Sequence, residues 1–287
     1  MFRFAGPRRW RPLSSNVRHH MERQFDLDRW ADVEPALLEL APPEDESPEK
    51  PAGIYSHLLF RGQGSYGWPL ETTLDRAKPK FTSLAQYYRV AALAKTQIET
   101  FTSRSWQEID FPKIEARLKE YDALRFGALP HYDYLVYLRH HGFPSPLLDW
   151  SRSLYIAAFF AFQRPVGDRI AIFVYQEYAG QGKLSSSREP QLHVLGPNVR
   201  SHPRHFLQQG EYTLCVQYLD EQWHLGSHAD VFTLARSGQD RLWKITLPVG
   251  QASAMMSKLE EYNINAFSLF QSEEALLETL ARRLIRP

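Results

Sequence analysis

His140-His141-Gly142-Phe143-Pro144-Ser145-Pro146-Leu147-Leu148-Asp149-Trp150-Ser151 is the stretch of this 287-residue chain that decides its fold. Before it, apolar residues at helical spacing between 134 and 138 predict a helix that begins at Pro130, and Gly142 supplies the left-handed residue that commonly follows a helix. The two prolines predict an extended segment. Ser151 is placed to cap the next helix, residues 153–162, whose wholly apolar sequence predicts burial.

Outward from this stretch, helical and extended patterns mix without regular alternation. Strands are predicted at residues 57–61, 169–175, 211–218 and 242–247, and further helices at residues 25–40, 83–101, 112–125, 251–260 and 272–284. A doubly wound parallel sheet needs strict strand–helix alternation, so this order favours an α+β fold. We expect one main domain at residues 51–287. Residues 1–50 form a basic N-terminal arm, a helix and an acidic, proline-rich linker.

Composition excludes several classes of protein. Hydrophobic residues make up 43% of the chain and aromatic residues 13%, which argues against general disorder. The formal net charge of +1 indicates no class of partner, although the basic arm is either solvated or a nucleic-acid contact. One cysteine, Cys215, excludes an internal disulfide and a thiolate metal cage. No apolar run reaches the length of a signal peptide or a membrane span, so we expect a cytoplasmic protein with no membrane partner.

Arg61 is the first candidate site residue, because it closes an apolar strand and precedes Gly62 and Gln63. A buried guanidinium needs partners for five N–H donors. It therefore either pairs with an internal carboxylate, for which Asp149 is the candidate, or clamps an anion such as a phosphate. Gly62 allows a ligand or another backbone to approach closely.

The other candidates are two histidines and two carboxylates. At most one of the adjacent residues His140 and His141 needs to be functional, and the spacing of the histidines does not indicate a metal site. Asp149 has apolar neighbours, so we expect it to be buried and hydrogen-bonded, as a helix cap or as the partner of a histidine or Arg61. Glu211 opens a strand after a glycine; it is either an exposed edge charge or a group that acts as a base or stabilises a developing cation.

These blocks resemble the FRG domain family. The resemblance lies in Phe60-Arg61-Gly62-Gln63, in the stretch from His140 to Ser151, and in Gln208-Gln209-Gly210, in the family's order and over roughly residues 54–280. A fainter resemblance is to ADP-ribosyltransferases. Their three motifs are similar to Arg61-Gly62, to Ser151-Arg152-Ser153 with its helix, and to Glu211-Tyr212.

The second resemblance implies a split, mixed β-sheet flanked by helices and an NAD-dependent ADP-ribosyltransferase that uses no metal. The catalytic residues would be Glu211, Arg61 and His141, with Glu211 stabilising the ribose cation and Arg61 holding the pyrophosphate. The NAD-binding residues would be Arg61, Gly62, Gln63, His140, Asp149, Ser151, Tyr155 and Gln209. Arg61, Ser151 and Glu211 should then converge on one cleft.

The FRG resemblance makes a bacterial toxin or phage-defence effector plausible. Such an enzyme would modify a macromolecular acceptor, nucleic acid or protein, and could have a cognate antitoxin or inhibitor. Two alternatives stay open. One is a non-catalytic module that binds a nucleotide or a partner protein, and the other is a metal-independent nuclease with His140 or His141 as general base.

Overall fold

The structure is a computed structural model that describes residues 23–40, 57–124, 129–177, 189–200, 203–233 and 240–285. The predicted basic arm up to residue 22 and the proline-rich linker lie outside these ranges. The strands are β1 (Arg23–Asp26), β2 (Leu59–Gln63), β3 (Leu147–Ser151), β4 (Arg169–Glu177), β5 (Gln191–Val194), β6 (Gly210–Leu219), β7 (Gln222–Leu225) and β8 (Asp240–Pro248).

The helices are α1 (Val33–Leu38), α2 (Thr73–Ala77), α3 (Leu84–Thr102), α4 (Phe111–Arg117), α5 (Tyr132–His140), α6 (Leu154–Phe162), α7 (Pro203–Leu207), α8 (His228–Thr233), α9 (Ala252–Glu261), α10 (Ala266–Phe270) and α11 (Glu273–Ile285). None of the helices in the described ranges has the length and apolar character that crossing a membrane requires. The fold class is α+β, as predicted.

All eight strands of the described chain belong to one open, mixed sheet with the order β1-β8-β4-β2-β3-β6-β5, and β7 pairs with β6. Only the β1–β8 pair is parallel. At the centre, β2 and β3 share a single residue pair, Phe60 with Ser151. The sequence predicted a split sheet; the structure has one sheet whose two halves meet at that pair.

Each half of the sheet is covered by its own helices. Helices α6 and α9 pack on one face of β2, β4 and β8, where Phe60, Ile172 and Ile245 point. Helices α3, α4 and α5 pack on β3 and β6. A third core, around Leu148, Trp150 and Tyr175, lies on the opposite face. The gap between the two sets of helices lies over the β2–β3 junction.

The deciding stretch folds largely as expected, with two corrections. Gly142 has φ +84° and the Phe143 N–H donates to the Leu138 carbonyl at 3.0 Å, which is the expected glycine-terminated helix end. The segment after Pro146 is a central strand of the sheet, β3. The cap of α6 is Ser153, not Ser151: the Ile156 N–H donates to Ser153 Oγ. Ser151 lies inside β3, where its Oγ donates to the Gln208 carbonyl.

Arg61 and Gly62 lie inside β2, whereas the sequence predicted a strand that ends at Arg61 and a turn at Gly62. Gly62 pairs with Ile172 of β4 and faces α6. A Cβ at this position would stand 1.8 Å from the Ala157 carbonyl oxygen. The glycine therefore allows α6 to pack directly on the strand. Strands β1, β5 and β7 were also missed, and residues 23–40, assigned to the N-terminal part, contribute β1 and buried Val33 and Leu40.

We expect Gly62→Ala to lower the free energy of unfolding by at least about 3 kcal/mol, the upper end for overpacking, because backbone atoms of α6 cannot rotate away. Urea unfolding followed by circular dichroism measures this. Gly250→Ala is the matched control, since no atom lies within 4 Å of its added Cβ. Equal stability of the two variants would contradict the close α6–β2 packing.

Candidate functional site

A cleft of about 650 Å³ opens where β2 and β3 diverge. Its walls are formed by β2, β3, the first residues of β6, one side of α6 and the loop after β2. Among the side chains that line it are Arg61, Gln63, Trp68, Glu71, Arg76, His140, Asp149, Ser151, Phe160, Gln208 and Tyr212. A cleft of this volume is within the range of small-molecule sites.

Asp149 lies at the floor of the cleft between two arginines. Arg61 Nη1 donates to Asp149 Oδ1 at 2.8 Å and to the Asp149 carbonyl oxygen at 2.9 Å. Arg139, from the end of α5, donates through Nη2 to the same Oδ1. The two guanidinium side chains are 13% and 17% exposed, whereas the Asp149 side chain is 42% exposed. The expectation that Asp149 is hydrogen-bonded is confirmed, but the expectation that it is buried is wrong, because it faces the cleft.

The charges around Asp149 leave a positive excess. Burial raises the pKa of the Asp149 carboxyl, but Arg139 and Arg61 outweigh it and hold that pKa well below its usual range. Burial lowers the pKa of the Arg61 guanidinium; Asp149 raises it, and Arg139 and Arg76 lower it further. Two guanidinium groups share one carboxylate, and the Nε atoms of both find no hydrogen-bond partner among the described residues. The floor of the cleft therefore favours an additional anion.

His140 and Tyr212 form a polar pair beside this cluster. His140 Nε2 lies 2.7 Å from Tyr212 Oη, and His205 Nδ1 lies 3.3 Å from the same oxygen on the buried side. Burial raises the pKa of the Tyr212 phenol far above its usual value, so its hydroxyl stays protonated. His140 is thus held in position by a neutral hydroxyl.

Gln63 presents an unused acceptor in the same cleft. Its Nε2 donates to the Pro69 carbonyl at 3.3 Å, and its side chain is 7% exposed. Its Oε1 is buried without a hydrogen-bond partner in the described part of the chain. Such a buried atom costs free energy as long as no donor reaches it.

The structure brings together six of the predicted site residues: Arg61, Gly62, Gln63, His140, Asp149 and Ser151 all line the cleft. Two distant sequence blocks meet there because β2 and β3 are neighbours in the sheet, although the last residue of β2, Gln63, and the first of β3, Leu147, are 84 positions apart.

Glu211 lies outside the cleft, so the predicted convergence of Arg61, Ser151 and Glu211 is wrong for Glu211. Asp149 pairs with Tyr212 and Trp150 with Glu211, so alternation along β3 and β6 sends Glu211 to the opposite face from Asp149. There Glu211 is 1% exposed, His57 Nε2 lies 2.8 Å from its Oε1, and Arg152 Nε donates to the same oxygen. The alternative of an exposed edge charge is wrong as well.

Three further predicted site residues are also outside the cleft. The Tyr155 hydroxyl donates to Glu34 Oε1 at 2.7 Å, on the outer side of α6. The His141 ring packs on Tyr137, with centroids 4.2 Å apart, and faces a separate surface hollow. Gln209, with φ +48°, forms the turn into β6.

Sequence reasoning missed Trp68 and Arg76 of the cleft lining and Arg139, the second partner of Asp149; it named Tyr212 only as part of the Glu211-Tyr212 motif. Arg139 was detectable in principle, since it is a charged residue immediately before the two histidines, at the end of an otherwise apolar helix. Trp68 and Arg76 gave no signal, because the loop after β2 brings Trp68 to the cleft and helix α2 brings Arg76 there. Within the described ranges, no three His, Cys, Asp or Glu side chains cluster as metal ligands would.

Comparison with known proteins gives one match. Residues 56–169 match the model of the FRG domain family, which includes β2, β3 and α6 and therefore most of the cleft. No curated protein and no solved structure matches the chain significantly.

We expect Asp149→Asn to lower the free energy of unfolding at neutral pH by roughly 1–2 kcal/mol, because Arg61 and Arg139 lose the carboxylate charge that they share. The expected loss is modest because the Asp149 side chain is 42% exposed and solvent screens its charge. The folded-state pKa of Asp149 is depressed, so its contribution is fully present above the unfolded pKa of about 3.9 and declines as the pH falls below that value. The difference in melting temperature between wild type and variant should therefore shrink below about pH 4.

Asp122→Asn is the control for this measurement, since Asp122 pairs with Arg117 on the surface. Exposed pairs contribute little, so this variant should melt close to wild type. A melting difference for Asp149→Asn that stays constant from pH 7 to pH 3 would contradict the proposed charge sharing.

Proposed function

The chain carries an FRG domain at residues 56–169, and we propose that the cleft of this domain binds a nucleotide through its phosphate groups. The observation that carries the proposal is the pair of guanidinium groups, Arg61 and Arg139, that share the single carboxylate of Asp149 at the cleft floor. Phosphate oxygens match the planar donor fork of arginine, and a partly desolvated site strengthens the attraction.

The remaining walls suit the rest of a nucleotide. Trp68 is 47% exposed beside the cleft, and Phe160 of α6 also lines it. Aromatic side chains of this kind stack on bases without strong sequence preference. The Gln63 side chain, which also lines the cleft, carries an amide that is able to donate to or accept from a ribose hydroxyl.

A second candidate function, ADP-ribosyl transfer from NAD to a macromolecular acceptor, is favoured by one observation. Asp149 is an ionised, solvent-accessible carboxylate next to the anion site. When the bond from ribose to nicotinamide breaks, positive charge develops on the ribose, and a fixed carboxylate stabilises it. In this proposal Asp149 takes the role that the sequence assigned to Glu211.

Titration calorimetry with AMP, ADP and NAD tests the binding proposal. Wild type should bind, and Arg61→Ala should weaken binding at least tenfold, because one guanidinium contact to phosphate is lost. Arg61→Lys should restore only part of the affinity, since an ammonium group has no planar fork. Melting curves of each variant separate loss of the ligand contact from unfolding.

Arg117→Ala is the matched control, because Arg117 is a surface arginine of α4 that pairs with Glu120. This variant should bind like wild type. If wild type binds none of the three nucleotides, or if Arg61→Lys binds as tightly as wild type, the phosphate-binding role is wrong.

Release of nicotinamide from NAD tests the second function. If Asp149 stabilises the ribose cation, Asp149→Asn should slow release roughly a hundredfold, as is typical when a preorganised electrostatic contact is removed, while NAD binding persists. Glu211→Gln should release nicotinamide like wild type. The reverse pattern would return the catalytic role to Glu211, and binding without any release would leave a nucleotide-binding module.

A further inference from the structure

Lys244 is a lysine of β8 whose ammonium group is nearly buried. The residue is 9% exposed, and burial lowers the pKa of its ammonium group while Asp26 raises it. Its Nζ atom donates to the Tyr66 carbonyl oxygen and lies 5.7 Å and 5.4 Å from the ring centroids of Tyr66 and Phe173. Burying an ammonium group costs free energy that an apolar side chain of similar length would avoid. The hydrogen bond to Tyr66 is therefore what Lys244 provides and an apolar residue could not.

Tyr66 belongs to the loop of residues 64–69, which we call the Trp68 loop. The Tyr66 N–H donates to the Arg169 carbonyl at 3.0 Å, and beyond Trp68 the Pro69 carbonyl accepts from Gln63 Nε2 at 3.3 Å. The loop is thus bonded to the sheet on both sides of Trp68. The Trp68 side chain itself is 47% exposed and lines the cleft.

The path of the loop connects Lys244 with the cleft. Lys244, Phe173 and Arg61 are paired across β8, β4 and β2, so their side chains share one face of the sheet. The loop runs from the end of β2 to Lys244 and returns to the cleft at Trp68. We propose that Lys244, which lies outside the cleft lining, is a positioning residue that holds the Trp68 loop so that the indole can stack on the base of the bound nucleotide.

This inference rests on the proposed nucleotide-binding function and adds the residue on which contact with the base depends. A loose loop would lose conformational entropy when a base stacks on Trp68, which would weaken binding of the base. The phosphates would be unaffected, since Arg61 and Arg139 hold them in the proposed mode of binding. Pyrophosphate has no base, so comparing it with ADP separates the two halves of the ligand.

Titration calorimetry of the full chain with ADP and with pyrophosphate tests the proposal. Trp68→Ala should lower the affinity for ADP about tenfold, the typical effect of removing a stacking side chain. Lys244→Met should lower it at least about threefold through lost preorganisation, and both variants should bind pyrophosphate like wild type. The double variant should bind ADP like Trp68→Ala alone, because Lys244 acts through Trp68. Lys113→Met is the matched control, since Lys113 is a surface lysine that pairs with Asp110.

Two further measurements separate positioning from a general loss of structure. Lys244→Met should melt close to wild type, because removal of a nearly buried charge offsets the lost hydrogen bond. Amide hydrogen exchange of residues 64–69, measured without ligand, should be faster in Lys244→Met than in wild type and unchanged in Lys113→Met.

The outcomes distinguish this inference from the function on which it rests. Unchanged ADP affinity in Lys244→Met, or a further loss when Lys244→Met is added to Trp68→Ala, would overturn the role of Lys244 and leave the nucleotide-binding proposal intact. Equal losses of affinity for ADP and pyrophosphate would overturn it too, because they would assign Lys244 to the stability of the whole cleft. If wild type binds neither ligand, the proposed function fails and this inference fails with it.

Discussion

The Asp149 carboxylate, bonded to Arg61 of β2 and Arg139 of α5, is the contact on which the centre of the molecule depends. Strands β2 and β3 share only one residue pair, so backbone hydrogen bonds alone do little to hold the halves of the sheet together. The Arg61 side chain crosses the gap that the diverging strands leave, and it reaches both the carboxylate and the carbonyl of Asp149. The same ion pair thus bridges the sheet and sets the charge of the cleft.

This arrangement also explains why a cleft exists at that place. One set of helices covers β2, β4 and β8, and a second set covers β3 and β6, so the junction between them has no helix of its own. Gly62 lets α6 approach β2 closely, so that Ala157 and Phe160 of α6 line the cleft beside β2. Asp149, Arg61 and Arg139 pair with one another at the junction. Gln63 Oε1 and the Nε atoms of both arginines stay buried without a partner among the described residues, which costs free energy.

Some of the predicted site residues lie together in the cleft, whereas others have side chains that face away from it. Arg61, Gln63, His140, Asp149 and Ser151 were predicted and lie together, because a charge or polar group beside an apolar run must be satisfied locally. Glu211 and His141 had the same chemical justification but face elsewhere. Glu211 points to the opposite face of the sheet by strand alternation, and His141 by its position after the last turn of α5. A shift of one residue along a strand moves a side chain to the opposite face, and along a helix it turns the side chain by about 100°.

The sequence by itself determined the α+β class, the long helices, the strands with strong β patterns, the resemblance to FRG domains and the Arg61–Asp149 ion pair as one of two alternatives. These features depend on local periodicity, caps and the cost of burying charge, all of which are encoded within short windows. Only the tertiary structure decided that β3 is a central strand, that Arg139 shares Asp149, and that Trp68 reaches the cleft. Those outcomes depend on which strands become neighbours and on how far they diverge, and contacts between residues distant in the chain determine both.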